Sequence, residues 1–382
     1  MNNIELIICL LLLFMALPDF CSKLGRPALV FPAFIVFGLL LSPFANPQIR
    51  TLLEQAGQVG FLLLLFEVGL EIDLPPPREF LRPLLHALGW ALVQFPPLVA
   101  AALWMGMDTT QALLAATALT ACSVGLAHAA WKSYPGLSGD RKVFVLHGMV
   151  ALEVVAVVFL ALGSTILRTG LTWMVLAKMA GIVATVLLLA RFALHLNRLF
   201  QTVLEHTTHW RIHWLVLLVL VVCALGERLG LDAAKTAFFL GLAMSRVQHH
   251  GLTIEECIAP ISRRFLIPVF FVALGLNLQW SWLLDRTALW ALGTTGALLA
   301  LRAFLHRHAF RWDGDARVFL LFCPNLTIVA LAAKAMLDAS GEPRIVAWLL
   351  LTGLFMSIAS VALLPSGGNN HTVATGQTAP QP

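Results

Sequence analysis

A single carboxylate lies inside an otherwise apolar, membrane-length run of this sequence. Glu153 belongs to the segment Met149–Val158, within the apolar stretch Val143–Ile166, and that stretch contains no Lys or Arg to neutralise it. An ionised carboxylate in hydrocarbon costs several kcal/mol or more, so such groups face a cavity, a partner or a proton relay. Glu153 therefore predicts an ion or proton pathway. The alternative is a protonated carboxyl that the helix merely tolerates.

Two other apolar segments contain hydroxyl and amide side chains, at Thr117–Gly125 and Cys323–Thr327. The side chains of interest are Thr120, Ser123, Asn325 and Thr327. Pro324 removes a backbone donor and interrupts helical hydrogen bonding. We expect a helix break in each segment, where these four residues satisfy freed backbone groups and offer neutral oxygen ligands to a cation. Taken alone, Ser and Thr in membrane helices more often serve packing.

Glu67 is a second acid in an apolar segment, one turn before Glu71 on the same helix face. We expect it to be an auxiliary proton acceptor or to pair with a basic residue elsewhere in the chain. Glu71 and Asp73 lie at the end of the segment and are predicted to be structural, pairing with the region of Arg78 and Arg82.

The composition indicates a polytopic membrane protein. The 382 residues are 59% hydrophobic and 12% charged, with a mean hydropathy of +0.86, whereas a soluble chain is about 25% charged. The net charge of +5 fits basic cytoplasmic loops and requires no nucleic-acid partner. The cysteines lack metal-ligand spacing, and the sequence has no nucleophile elbow or phosphate-binding glycine loop. We predict no enzymatic activity, no cofactor and no metal beyond a monovalent cation.

Hydropathy predicts a membrane domain at residues 1–365 and a disordered polar tail at residues 366–382. A bilayer crossing takes about 20 apolar residues, or fewer where a helix is broken. We predict thirteen transmembrane helices, at residues 3–21, 27–43, 54–72, 81–105, 110–131, 142–166, 171–192, 210–229, 233–246, 265–279, 282–303, 316–337 and 343–364. Lys and Arg concentrate in the odd-numbered connections and their edges, including Arg263, Arg264 and Arg302. The positive-inside rule then places the N-terminus outside and the C-terminus in the cytoplasm.

The predicted spans contain an inverted repeat. The second span ends Gly38-Leu-Leu-Leu-Ser42 and the ninth ends Gly241-Leu-Ala-Met-Ser245, an offset of 203 residues. The third span ends with Gly69 and its neighbours, the tenth with Gly275 and its neighbours, an offset of 206 residues. Partners lie seven spans apart, an odd number, so they cross the membrane in opposite directions. The same offset relates the fifth span to the twelfth. Chance similarity between apolar Gly-Leu segments is the alternative.

Three segments together resemble the monovalent cation:proton antiporters, and within them the Kef-type sodium/hydrogen exchanger branch. Leu65-Phe-Glu-Val-Gly-Leu-Glu-Ile-Asp73 is similar to that family's Leu-Phe-x-x-Gly-Leu-Glu-x-Asp signature. The stretch Ile267–Leu278 resembles its Pro-x-Phe-Phe-x-x-x-Gly-x-x-Leu segment, and Phe238–Ser245 resembles the small-residue span before it. The resemblance covers about residues 4–365, essentially all of the membrane part.

The resemblance implies an all-α sodium/proton antiporter fold, with about thirteen helices, an inverted-topology repeat, a core of crossed broken helices and a second domain that forms a homodimer. It also implies exchange of Na⁺ or K⁺ for H⁺ by alternating access, serving pH homeostasis, in the plasma membrane (the inner membrane, for a bacterium). Glu153 takes the place of the family's ion-binding carboxylate in the sixth span. Leu152 takes the place of that carboxylate's acidic or amide neighbour.

Two departures from the family pattern affect the expected mechanism. Leu152 offers no ligand, and the tenth span has no Lys where electrogenic members carry one, with Arg264 only at its edge. A single carboxylate without that Lys favours one-for-one, electroneutral exchange. The same features fit a transport-inactive membrane component that retains the fold. A sodium-coupled organic-solute symporter is a further alternative, against which the Phe66–Asp73 segment argues.

Overall fold

The computed structural model describes residues 3–71, 77–132, 134–169, 211–228, 233–245, 248–249, 252–339 and 342–365. Its α-helices are α1 (Asn3–Lys23), α2 (Val30–Leu41), α3 (Pro47–Glu71), α4 (Pro77–Trp104), α5 (Thr109–Thr120), α6 (Val124–Lys132), α7 (Gly139–Thr169), α8 (Arg211–Arg228), α9 (Ala233–Met244), α10 (Ile254–Ile261), α11 (Ile267–Leu276), α12 (Trp280–Leu284), α13 (Arg286–His308), α14 (Leu326–Asp338) and α15 (Pro343–Leu363). Two 3-10 segments, Pro27–Leu29 and Val318–Phe322, and a π-helical segment, Ser262–Leu266, adjoin them. A short antiparallel hairpin, β1 (Gln248–His249) with β2 (Leu252–Thr253), joins α9 to α10.

The helices confirm the predicted all-α membrane fold. Within the described ranges, seven helical segments are long and apolar enough to cross a bilayer: Pro47–Leu70, Arg78–Trp104, Gly139–Ser164, Glu256–Leu276, Arg286–His308, Val318–Asp338 and Pro343–Leu363. The fifth predicted span is divided between α5 and α6, and α2 is a shorter apolar helix. The predicted seventh span at 171–192 and the tail at 366–382 lie outside the described residues. The total of thirteen and the orientation stay predictions.

Two helix boundaries differ from the prediction for the same physical reason. The tenth span was expected at 265–279, but the helical stretch begins at Ile254 and runs through the π segment to Leu276. The eleventh was expected to end at residue 303, but α13 continues to His308. In both spans an arginine, Arg263 or Arg302, has polar partners inside the protein. A charge with such partners does not have to end a span.

The helices form two groups, defined by which helices pack on one another. The first group contains α4, α5, α7, α13, α14 and α15. The second contains α2, α3, α8, α9 and α11. The half-helix α6 contacts α7 of the first group and α3 of the second. This division supports the core domain and second domain that the resemblance implies.

Four glycines allow close helix contacts within the second group, and they are the glycines of the sequence repeat. A Cβ atom on Gly38 would lie 2.1 Å from a backbone oxygen of α11 and 2.9 Å from Gly275 Cα. A Cβ atom on Gly241 would lie 2.0 Å from a backbone oxygen of α3 and 3.0 Å from Gly69 Cα. The first repeat's Gly38 thus meets the second repeat's Gly275, and Gly241 meets Gly69. A two-fold axis between the repeats produces this exchange of partners, so the inverted repeat is confirmed.

We predict that Gly38→Ala and Gly241→Ala each destabilise the fold, because the added methyl overlaps backbone atoms that cannot rotate away. Overpacking of this kind costs about 1–3 kcal/mol, which would lower the melting temperature of the purified protein. The matched control is Gly296→Ala on α13, where an added Cβ meets nothing within 4 Å. That change should be neutral or stabilising by up to about 1 kcal/mol. Unchanged melting of both repeat variants would contradict the packing described.

Candidate functional site

Both predicted helix breaks are present. Residues 121–123 separate α5 from α6, with extended backbone at Ala121 (φ −65°, ψ 163°). Residues 323–325 separate the 3-10 segment Val318–Phe322 from α14. Pro324 lies in this second gap, where its missing N–H and its ring prevent a continuous helix. Each break exposes backbone groups that a helix would otherwise satisfy.

The two breaks lie against each other and are joined by hydrogen bonds. The Ser123 N–H donates to the Pro324 carbonyl oxygen at 2.7 Å, and Thr327 Oγ1 donates to Ser123 Oγ at 2.7 Å. The Asn325 side-chain amide donates to the Leu119 carbonyl oxygen, in the last turn of α5, at 3.1 Å. The Ser123, Asn325 and Thr327 side chains are all buried. Three of the four predicted polar residues are therefore brought together.

We call the place where the two breaks meet the crossing. Two side-chain oxygens near it differ in whether they are free to bind a cation. The fourth predicted residue, Thr120, is buried at the end of α5, and its hydroxyl donates back to the Ala116 carbonyl oxygen at 2.9 Å. Oδ1 of Asn325 is buried and has no hydrogen-bond partner among the described residues. Leaving a buried acceptor without a donor costs about 1–3 kcal/mol. A bound cation would remove that cost.

Glu153 lies at the same crossing. It is fully buried on α7, and its Oε2 accepts a hydrogen bond from the Val124 N–H at 3.0 Å. Val124 is the first residue of α6, so the carboxyl occupies the N-terminal end of that half-helix. This end carries partial positive charge and free N–H donors, both of which favour an anion. The adjacent Leu152 is buried and offers no polar side-chain atom.

The sequence analysis did not predict a buried guanidinium at the crossing. Arg302 on α13 is fully buried. It donates from Nη2 to the Leu119 carbonyl at 2.7 Å, from Nη1 to the Phe322 carbonyl at 2.9 Å, and from Nε to Gln94 Oε1 at 2.7 Å. Leu119 and Phe322 lie at the C-terminal ends of α5 and the 3-10 segment, where carbonyls lack intrahelical partners and the partial charge is negative. Assigning Arg302 to the edge of a cytoplasmic loop was wrong.

A signal for Arg302 is present in the sequence. Arg302 and Gln94 each interrupt an apolar helix, and apolar residues continue beyond both of them. The positive-inside rule explained Arg302 as a residue near a cytoplasmic loop, so a buried position inside the protein was not considered. Gln94, which is also fully buried, had no such explanation and is the better clue.

The charges at the crossing follow the polarity of the helix ends. The negative group, Glu153, lies at a helix N-terminus, and the positive group, Arg302, lies at two C-terminal ends. Each charge thereby satisfies backbone groups that the breaks leave open. The arrangement combines one carboxyl with neutral oxygens from two unwound segments. Such a set can bind a proton or a hard monovalent cation.

The unwound part of the twelfth span is supported from the loop after α13. Trp312 is buried and stacks on Phe322, with ring centroids 4.0 Å apart. Gly148 on α7 leaves space for this indole, because a Cβ there would lie 2.3 Å from it. The Tyr134 hydroxyl donates to Asp315 Oδ1 at 2.5 Å in the same loop. Burial raises the pKa of the Tyr134 phenol further above its usual range. The stacking of Trp312 on Phe322 positions the residue whose carbonyl oxygen accepts the hydrogen bond from Arg302.

Glu67, the predicted auxiliary acid, has its own partners on the tenth span. It is buried on α3 and accepts hydrogen bonds from Ser262 Oγ and, at 2.8 Å, from Arg263 Nε. Both donors belong to the π segment, a geometry that often marks functional sites. The partner is Arg263 rather than its exposed neighbour Arg264. The side chains of Glu71 and Asp73, predicted to pair near Arg78 and Arg82, lie outside the described part of the chain.

Comparisons with known proteins agree with the fold and the sequence resemblance. Residues 9–368 match the family described as sodium/hydrogen exchanger, transmembrane. The Na(+)/H(+)-K(+) antiporter GerN of Bacillus cereus is 26% identical over 270 residues, which cover 68% of this chain and 67% of GerN. The probable Na(+)/H(+) antiporter GerT of Bacillus cereus is 23% identical over 280 residues, which cover 72% of this chain and 73% of GerT.

A solved structure shows the same fold. The sodium proton antiporter MjNhaP1 from Methanocaldococcus jannaschii, determined at pH 8, superposes with a TM-score of 0.63 over 95% of both chains at 14% identity. The family match spans nearly the whole membrane part of the sequence. It confirms the resemblance to monovalent cation:proton antiporters, while the Kef-type branch stays a prediction. The chain belongs to the transmembrane sodium/hydrogen exchanger family.

Proposed function

We propose that this protein exchanges a monovalent cation, Na⁺ or K⁺, for protons across the plasma membrane by alternating access, with Glu153 carrying either ligand. The observation that supports this most is the burial of Glu153 at the crossing of two broken helices, beside neutral oxygen donors. Membership of the sodium/hydrogen exchanger family supports the same reaction class. It favours exchange over sodium-coupled solute symport.

The proposed mechanism is competition for one buried carboxyl. Desolvation disfavours the ionised form of Glu153, so a proton or a cation must offset its charge. One site cannot hold both ligands at once. If the first helix group carries the occupied carboxyl between the two faces of the membrane, competition alone couples the two fluxes. No separate gate is required.

The cation ligands that we propose are Thr120, Ser123, Asn325 and Thr327, together with Glu153. Oδ1 of Asn325 is the strongest candidate, because it is buried without a partner among the described residues. The Ser123 and Thr327 hydroxyls bond to each other, and each oxygen still has a lone pair for a cation. Thr120 keeps the same capacity while donating to its own helix.

We propose one-for-one, electroneutral exchange. Arg302 is a permanent charge, because a guanidinium does not lose its proton in proteins. Its contribution to the charge of the crossing is therefore constant through a transport cycle. Glu153 then binds one positive charge at a time, either a proton or a cation, so each cycle exchanges one for the other. Na⁺ and K⁺ both stay candidates, and GerN is a relative named for both.

A homodimer in the bilayer, formed through the second helix group, completes the proposal. The resemblance implies this assembly. The second group is the static partner against which the first would move, and its glycine contacts leave little room for internal sliding. Glu67 stays our candidate auxiliary acid, although its contacts with Ser262 and Arg263 favour a structural role.

Glu153→Gln should abolish exchange while leaving the protein folded. Glutamine keeps the shape and an oxygen acceptor for the Val124 N–H, but it neither ionises nor takes up a proton. The assay is dissipation of a preset pH gradient in proteoliposomes after addition of Na⁺ or K⁺. Glu79→Gln, at an exposed acid in the first turn of α4, is the matched control and should behave as wild type.

Exchange by Glu153→Gln at the wild-type rate would remove Glu153 from the mechanism. A folded but silent wild type would favour the transport-inactive alternative.

Arg302→Gln should destabilise the first helix group strongly, and Arg302→Lys should do so less. Glutamine leaves the Leu119 and Phe322 carbonyls without their charged donor, at a cost of about 1.5–3 kcal/mol for each bond. Lysine keeps the charge but cannot reach three acceptors with a planar fork. Thermal unfolding of the purified variants measures the order. Equal melting temperatures for wild type and Arg302→Gln would mean that Arg302 does not hold the crossing.

Glu67→Gln should lower stability but retain coupled exchange, because its ion pair with Arg263 is structural in this conformation. A melting curve and the pH-gradient assay separate the two effects. Arg264→Gln, next to Arg263 but exposed, is the control for lost positive charge. If Glu67→Gln keeps the wild-type melting temperature and loses exchange, the auxiliary-acid role is correct.

A further inference from the structure

A groove on the outer face of the first helix group leads into a polar pocket at one end of the membrane-spanning helices. The groove lies between α4 and α13, has a volume of about 620 Å³, and is lined by apolar residues that include Pro97, Leu98, Gly293 and Leu301. The pocket, about 330 Å³, is lined by Arg286, Thr287, Glu342, Arg344 and Ile345. Trp104, Met105 and Trp290 line both spaces, so the two are continuous.

The dimensions of the groove match one lipid chain in one leaflet. From Trp290 to Leu301, α13 rises about 16 Å at 1.5 Å per residue. Half of a hydrocarbon core of about 30 Å is close to this length. Trp104 and Trp290 stand at the mouth, 76% and 48% exposed, with ring centroids 6.4 Å apart. Exposed indoles favour the boundary between headgroups and hydrocarbon, so the groove extends from that boundary towards the bilayer centre.

The polar pocket presents one free charge of each sign. Arg344 donates to Asp285 Oδ2 at 2.5 Å and to Thr287 Oγ1 at 3.2 Å, so its charge is already compensated. The side chains of Arg286 and Glu342 have no hydrogen bond or ion pair with any other residue in the described ranges. A guanidinium suits a phosphate, and a carboxylate suits a primary ammonium group.

We propose that this continuous site binds a phospholipid with a zwitterionic amine headgroup, of the phosphatidylethanolamine class. One acyl chain occupies the groove, the phosphate meets Arg286, and the ammonium group meets Glu342. A lipid whose only headgroup charge is its phosphate would leave Glu342 without a cation to pair with. A choline headgroup cannot donate a hydrogen bond to that carboxylate. The lining residues include none of those assigned to the ion site, so lipid binding and exchange can be tested separately.

Two glycines on α13 provide a matched test of the groove. A Cβ on Gly293 or on Gly296 would meet nothing within 4 Å, but only Gly293 is among the lining residues. Gly293→Leu therefore fills the groove without displacing backbone, whereas Gly296→Leu adds the same side chain outside it. Arg286→Gln and Glu342→Gln test the headgroup contacts at exposed positions, and they keep the test valid if Gly293→Leu does not fold.

The full-length protein is delipidated in detergent and offered phosphatidylethanolamine, phosphatidylcholine or phosphatidylglycerol with identical acyl chains. Native mass spectrometry then counts the lipid retained by each chain. We expect one tightly retained phosphatidylethanolamine, preferred about 10-fold over the other two lipids, as for loss of one charge-assisted hydrogen bond. Gly293→Leu should lose this retention and Gly296→Leu should keep it. Glu342→Gln should lose the preference, whereas Arg286→Gln, which removes the contact with the phosphate common to all three lipids, should weaken the retention of all three. Equal retention of all three lipids, or of phosphatidylethanolamine by both glycine variants, would overturn the proposal. So would an unchanged preference in Glu342→Gln, or unchanged retention of all three lipids in Arg286→Gln.

Discussion

The high cost of an unsatisfied backbone group or an unpaired charge inside a membrane governs the organisation of this protein. Two helices stop and restart inside the protein, and each break opens N–H and carbonyl groups that need hydrogen-bond partners. The structure satisfies them in three ways. The breaks bond to each other through Ser123 and Pro324, Glu153 accepts from the start of α6, and Arg302 donates to two carbonyl ends. The groups that stabilise the breaks are thus the groups that form the candidate ion site.

Because the same groups stabilise the breaks and form the candidate ion site, ion binding affects how the breaks are held. A cation or proton that binds Glu153 changes the charge at the start of α6, and therefore the balance with Arg302 on the other side of the crossing. Glu153 and Arg302 both lie on helices of the first group, α7 and α13, so a change of occupancy acts on that group directly. The second group, closed by reciprocal glycine contacts between the two repeats, provides a rigid surface. This division is compatible with the exchange that we propose, in which one group moves against the other.

The sequence predicted the features that leave a local signal. Glu153 stands alone in an apolar run, Pro324 removes a backbone donor beside the polar side chains of Asn325 and Thr327, and the repeat glycines recur at nearly constant offset. Other features depend on tertiary contacts that leave no such signal. Arg302 near the end of a predicted span was explained by the positive-inside rule. The π segment places Arg263, rather than its neighbour Arg264, against Glu67. The repeat was visible in sequence, but the exchange of partners between Gly38, Gly275, Gly241 and Gly69 requires the packed structure.

The proposed exchange depends on competition between a proton and a cation for the carboxyl of Glu153. Proton release on cation binding tests it, measured by calorimetric titration of the purified protein with Na⁺ or K⁺ in two buffers of different ionisation enthalpy. At a pH where the carboxyl is protonated, we expect close to one proton released for each cation bound by the wild-type protein, and no release from Glu153→Gln. Saturable cation binding to the wild-type protein without proton release would contradict it.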